Sequence, residues 1–184
     1  RYEHTKKIQK LSFIGFAFTL IAGVLSHFAF EISGGNTFIG AFAPVNESVW
    51  EHLKLLLFPT LIFSVVEYFV YGREVENFFA ARIYAVLIGM AAIVFLYYTY
   101  SGIIGQHFLA ADIAIFVISA AITYSLSCKL MKSGRLFASN NSSIIAICII
   151  AAVIIFFIYF TFNPPMLELF RDPISEDFGI IMNI

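Results

Sequence analysis

Glu47, Glu51, His52 and Lys54 crowd into the segment Pro44-Val45-Asn46-Glu47-Ser48-Val49-Trp50-Glu51-His52-Leu53-Lys54, and residues 55–58 then run straight into an apolar stretch. Two carboxylates, an imidazole and an ammonium therefore stand at the mouth of what reads as a membrane-spanning helix. Ionisable groups at membrane depth are costly, so they face a protein interior or a watery cavity and mark function. The chemistry on offer is hydrolytic: Glu47 or Glu51 as a base, Lys54 as an electrostatic clamp, and His52 as a metal ligand. A bound divalent metal would lower the pKa of a water and polarise a carbonyl or phosphoryl group.

Further candidates lie elsewhere in the chain. His27 and Glu31 are spaced i, i+4, which puts them on one helical face, and two such groups can share a metal. His107 and Asp112 are five apart, so on a straight helix they point in different directions and converge only if the helix start is distorted. The metal-ligand set expected from these residues is His27, His52, His107 and Asp112, with zinc as the first choice of ion. No H-E-x-x-H signature is present, so the expectation rests on a constellation rather than a motif.

Each of these residues also has a plainer account. Ser48-Val49-Trp50-Glu51 fits a capping box, in which Ser48 caps the helix and Glu51 reaches back to the backbone. A histidine at the end of a span can serve only to hydrogen-bond a neighbouring helix. Glu67, near the opposite end of the second span, suits a pair with Arg82 or Lys129. Trp50, Tyr97, Tyr98 and Tyr100 suit an interfacial aromatic belt. Cys128 and Cys148 lie in or beside apolar runs, with neither a C-x-x-C nor a Cys/His tract, and read as inert packing.

The elements that must position these groups follow from composition. The chain has 184 residues, 60% hydrophobic and 12% charged, with a mean hydropathy of +0.89. Soluble domains carry about 25% charged residues, so this is an all-α polytopic membrane protein. A span needs about 20 apolar residues, and five stretches qualify: residues 11–32, 48–71, 78–100, 106–130 and 143–162. Pro59 interrupts the second. The first has no small-residue cleavage site and reads as a retained helix, not a signal peptide. No basic patch suggests nucleic acid. The expected partners are the lipid bilayer and a small-molecule or lipid ligand; a homo-oligomer stays open.

Residues 1–162 form the expected bundle and 163–184 an ordered extracytoplasmic tail. The tail mixes Leu167, Leu169, Phe170, Phe178 and Ile180-Ile181 with acids and prolines, which is too apolar for a disordered segment. It is expected to fold back as a lid near His52 and His107, with Arg171 pairing Glu47 or Glu51.

The P-V-N-E-S-x-W-E-H-x-K segment, together with Pro164-Pro165 and Phe170-Arg171-Asp172-Pro173, resembles a family of small uncharacterised multi-pass membrane proteins of Gram-positive bacteria. The resemblance implies a plasma-membrane location and no particular activity or cofactor. Three functions therefore compete: a metal-binding and hydrolytic site facing outward, a small-solute or cation transporter using Glu67 or Asp112, and a structural or regulatory membrane protein.

Orientation follows from Lys and Arg. Arg1, Lys6, Lys7, Lys10, Arg73, Arg82, Lys129, Lys132 and Arg135 fall on one side, and only Lys54 and Arg171 on the other. The positive-inside rule then puts the N-terminus in the cytoplasm and the C-terminus outside. Eight of the twelve carboxylates and three of the four histidines gather on the outer side, although the assignment used neither. A reporter active only in the cytoplasm is expected to work when fused to the N-terminus and to be silent at the C-terminus. An active C-terminal fusion would invert the topology.

Overall fold

The computed structural model describes residues 2–134 and 139–180. Arg1 and Arg135, counted in the charge split, and Ile181 of the tail lie outside the described residues. The described chain is helical, with α1 Tyr2–His27, α2 Ala29–Ile32, α3 Thr37–Gly40, α4 Val49–Val70, α5 Phe78–Ile104, α6 Leu109–Ser133 and α7 Asn140–Phe162, plus 3₁₀ turns at Gly72–Glu74 and Glu168–Phe170. Five helices are long and apolar enough to cross a membrane: Thr5–His27, Val49–Val70, Phe78–Ile104, Leu109–Ser133 and Asn141–Phe162.

The expected first span, 11–32, is placed too late. The chain breaks at Phe28, and residues 29–32 form the separate helix α2. The fourth span also starts later than expected, at Leu109, because Phe108 is extended (φ −133°, ψ 137°).

Helices α1, α4, α5 and α6 form a ring, with α1 against α4 and α6, and α5 against α4 and α6; α7 lies along the outside of α5. Close approach of α1 depends on Gly23, where an added Cβ would sit 2.6 Å from Phe116 Cζ and 3.1 Å from Leu55 O. One turn further on, α1 ends at His27. At the opposite end of the bundle, Glu67 and Arg82 form a fully buried ion pair. Tyr71 donates to Glu67 Oε1 at 2.8 Å, and the guanidinium lies 4.8 Å from the centre of the Tyr124 ring. Lys7 Nζ also donates to Val70 O there, at 2.7 Å. Of the partners expected for Glu67, Arg82 is the one found.

A second buried pair, at the His27 end, fixes the loop that enters α4. Lys54 and Glu51 are 1% and 2% exposed, with Nζ 2.5 Å from Oε2. Lys54 also donates to Gly40 O at 2.8 Å, Ala43 O at 3.3 Å and Thr161 Oγ1 at 2.6 Å. Glu51 Oε2 accepts from Val45 N at 3.1 Å, and Oε1 faces the Thr161 hydroxyl at 3.2 Å. Four parts of the fold meet at this pair: α3, the 41–48 loop, α4 and α7. Only half of the expected capping box forms. Ser48 Oγ accepts from Glu51 N at 3.3 Å, but the Glu51 carboxylate turns to Val45 and Lys54, and Ser48 N donates instead to Asn46 Oδ1 at 3.0 Å.

The tail, as far as described, packs on the same end. Phe170 is buried against Trp50, with ring centres 4.7 Å apart, and Trp50 stacks on Phe157 at 4.3 Å. Asn46 Nδ2 donates to Gly179 O at 3.0 Å. Gly179 has φ +68°, and a Cβ there would lie 2.9 Å from Pro164 Cγ, so glycine is required. Arg171 does not pair with Glu47 or Glu51 as expected. It pairs within the tail, with Glu176 at 3.0 Å and Glu168 at 3.6 Å, because the bridge between Arg171 and Phe178 folds the tail back on itself.

Removing one partner of a buried ion pair leaves an uncompensated charge and costs about 3–5 kcal/mol. Lys54→Met is therefore expected to destabilise the protein by about that amount, read from thermal unfolding followed by the emission of Trp50, the chain's one tryptophan. A change below about 1 kcal/mol, the worth of an exposed pair, would contradict the role given to Lys54.

Candidate functional site

Three segments bring ligating side chains together at the His27 end. His27 is the last residue of α1, Glu47 lies in the loop before α4, and His52 sits in the first turn of α4. One ligand atom from each of the three lies within 4.8 Å of the other two. Glu47 Oε1 is 3.8 Å from His27 Nε2, and Glu47 Oε2 is 3.4 Å from His52 Nε2. The two imidazole rings are 5.2 Å apart.

The tautomer of His52 follows from its partner. Ser48 O lies 2.9 Å from His52 Nδ1, and a carbonyl only accepts, so Nδ1 carries the proton. With Nδ1 so occupied, a singly protonated His52 presents its Nε2 lone pair toward Glu47, and a doubly protonated one presents an N–H there. A backbone carbonyl holding the distal N–H is the usual support of a metal-ligating histidine. Tetrahedral ligands at about 2.1 Å from zinc sit roughly 3.4 Å apart, so the Glu47–His52 separation already fits and Glu47–His27 is slightly wide. The imidazolium form of His52, with Nε2 3.4 Å from Oε2, holds the Glu47 carboxyl below the usual carboxylate range despite its partial burial.

Glu47 is held by its backbone as well. Its N–H donates to Asp172 Oδ2 at 3.2 Å, and Asp172 Oδ1 accepts from Ile174 N at 2.7 Å and Ser175 N at 3.2 Å. A buried aspartate of the tail thus connects the loop to the turn that follows it. Sequence reasoning missed Asp172; the signal was the Asp-Pro dipeptide, which favours a turn.

The cluster opens on a cavity of about 320 Å³. On the cavity wall formed by α6 and the segment leading into it stand His107 and Asp112. His107 Nδ1 lies 3.1 Å from Asp112 Oδ2. Two residues five apart converge because α6 begins only at Leu109, leaving His107 in the extended approach. Asp112 Oδ1 also accepts from the Tyr100 hydroxyl, which itself accepts from Phe108 N at 3.2 Å. Tyr97 lines the same cavity. The expected aromatic belt therefore hides one tyrosine with polar work, Tyr100, and one that lines the cavity, Tyr97, which residue type alone does not reveal.

Of the seven residues expected to carry chemistry, His27, Glu47, His52, His107 and Asp112 surround this one cavity. Glu51 and Lys54 do not line it; they lie sealed in the network with Thr161. Glu31, the suggested companion of His27, lies in α2 beyond the break at Phe28 and is outside the three-residue cluster. Glu67 stands at the other end of the bundle, bound to Arg82 and Tyr71.

No curated protein matches the chain, and no solved structure does. A family model does match, over residues 1–180. The chain belongs to that family, a family of unknown function designated DUF6512.

Proposed function

We propose that this protein holds a divalent metal, with zinc favoured, at His27, Glu47 and His52 on the outer face of the membrane, and uses it for hydrolysis inside the adjoining cavity. One observation carries the reading: two imidazole Nε2 atoms converge on one carboxylate at 3.8 and 3.4 Å, and among the described residues no lysine or arginine lines the cavity they border. Two histidines and one glutamate are a donor set of catalytic zinc sites, which leave a further position for water or substrate.

The other polar residues of the cavity suit the rest of the reaction. Asp112 orients His107 through Nδ1, which leaves Nε2 to take and return a proton, the role of an imidazole positioned by a carboxylate. A metal held by His27, Glu47 and His52 would polarise a carbonyl or phosphoryl group and lower the pKa of water there. Glu51 and Lys54, sealed off, take a positioning role: they fix the loop that presents Glu47. Pro173 and Ile174 of the tail line the cavity, which suits a lid that excludes bulk water. The transport reading has less support, because the cavity narrows onto Leu55, Ile115 and Phe116, apolar side chains that offer a passing ion or proton no partner.

Elemental analysis of the purified full chain is expected to find about one zinc per polypeptide after zinc loading and exhaustive dialysis. His52→Ala and His27→Ala are expected to weaken zinc binding by more than the roughly 10–100-fold typical of outer-shell changes. His107→Ala is expected to keep the zinc and lose hydrolysis. Wild-type protein without zinc, or His52→Ala protein with wild-type zinc affinity, would overturn the proposal.

A further inference from the structure

The cavity is two-sided. At one end stand His27, Glu47, His52, His107 and Asp112; below them the walls are Leu55, Ile93, Ile115 and Phe116. A ligand that fills it has one polar end and one apolar end.

Among the described residues, no lysine or arginine lines the polar end. Lys54, the nearest cation on α4, is 1% exposed and turned to Gly40 O, Ala43 O, Glu51 and Thr161. Arg171 is engaged by Glu168 and Glu176. Phosphate and other polyanionic heads are normally gripped by Arg or Lys forks. Here such a head would face Glu47 and Asp112 with only the metal to offset them. A neutral carbonyl head, with one oxygen for the metal and a proton to exchange with His107, meets no such repulsion.

The mouth is apolar. Leu109 lines the cavity yet is 76% exposed, and its neighbour on the next turn, Ile113, is 54% exposed. Ile174 of the tail also lines the cavity while 75% exposed. This rim lies at the end of a membrane-spanning helix, where acyl chains meet the interface. The volume of about 320 Å³ is at the small end of ligand pockets, which run from about 300 to 1,000 Å³. It takes a head and part of one chain, and has no room for a two-chain lipid.

We infer, resting on the metal reading above, that the substrate is a neutral single-chain amphiphile, a carboxylic ester or amide, with its carbonyl at His27–Glu47–His52 and its apolar chain against Leu55 and Ile115. Hydrolysis adds one water. The water oxygen bonds to the carbonyl carbon, the bond from that carbon to the ester oxygen or amide nitrogen breaks, and a water proton passes through His107 to the leaving atom. The products are a carboxylic acid and an alcohol or amine.

The test uses the zinc-loaded full chain in nanodiscs, with acetohydroxamate, octanohydroxamate and octyl phosphate as probes and empty nanodiscs subtracted. Octanohydroxamate is expected to bind at least about tenfold more tightly than acetohydroxamate, and octyl phosphate at least about tenfold more weakly than octanohydroxamate. Ile115→Trp and Leu55→Trp, which fill the floor from different helices, are expected to cut the chain-length gain below about threefold. In wild-type protein, zinc bound without a chain-length gain, or a gain no larger than uptake by empty nanodiscs, would overturn the amphiphile and leave the metal site standing. A gain that persists in both tryptophan variants would overturn it as well. Octyl phosphate binding as tightly as octanohydroxamate would overturn the neutral head. Absence of zinc from the loaded wild type would remove both readings together.

Discussion

The buried pair of Glu51 and Lys54 is the constraint on which the His27 end depends. An ammonium and a carboxylate taken out of water cost several kcal/mol each unless every remaining donor and acceptor is met. Here they are met by backbone from the end of α3 (Gly40 O) and the entering loop (Ala43 O, Val45 N) and by Thr161 from α7. The loop cannot leave without orphaning a charge. Glu47, two residues beyond Val45, inherits that rigidity and gains a second anchor from Asp172. The carboxylate facing His27 and His52 is thus set in place by groups that never touch the cavity.

The membrane explains why the polar residues divide as they do. With no water in the bilayer core, buried charges persist only where partners are built in. The bundle accordingly concentrates them in two places: Glu67, Arg82 and Tyr71 at one end, and Glu51, Lys54 and Thr161 toward the other. Beyond the second network the side chains are partly exposed. The side chains of His27, His52 and Asp112 are 27–30% accessible. Partly accessible, convergent and aimed at a cavity is the condition for chemistry; sealed and saturated is the condition for structure. The same segment, residues 44–54, supplies both.

Residue types and spacing made much of this legible. Apolar run lengths located five spans, and the break at Pro44–Ser48 marked where polar groups enter. Spacing failed where helices stop being straight. His27 and Glu31 share a face only on an unbroken helix, and the chain breaks at Phe28. His107 and Asp112 diverge only if both are helical, and His107 is not. Glu47 and Glu51 look equivalent as acids four apart, yet α4 starts at Val49, so one lies in the loop facing the cavity and the other in the helix facing α7. The contribution of Thr161 was invisible for another reason: a lone threonine in an apolar span offers no pattern, and its importance comes only from lying against α4. Arg171 was assigned to a distant acid because the tail's internal bridge, which brings Glu176 beside it, has no sequence signature.

The central claim is that His27, Glu47 and His52 share one ion. Anomalous scattering at the zinc absorption edge, from crystals of the zinc-loaded full chain, tests it most directly. The account predicts a single strong peak about 2.0–2.1 Å from both histidine nitrogens and about 2.0–2.2 Å from a Glu47 oxygen. A peak held by His107 and Asp112 without His27 and His52, or no peak in the cavity at all, would contradict it.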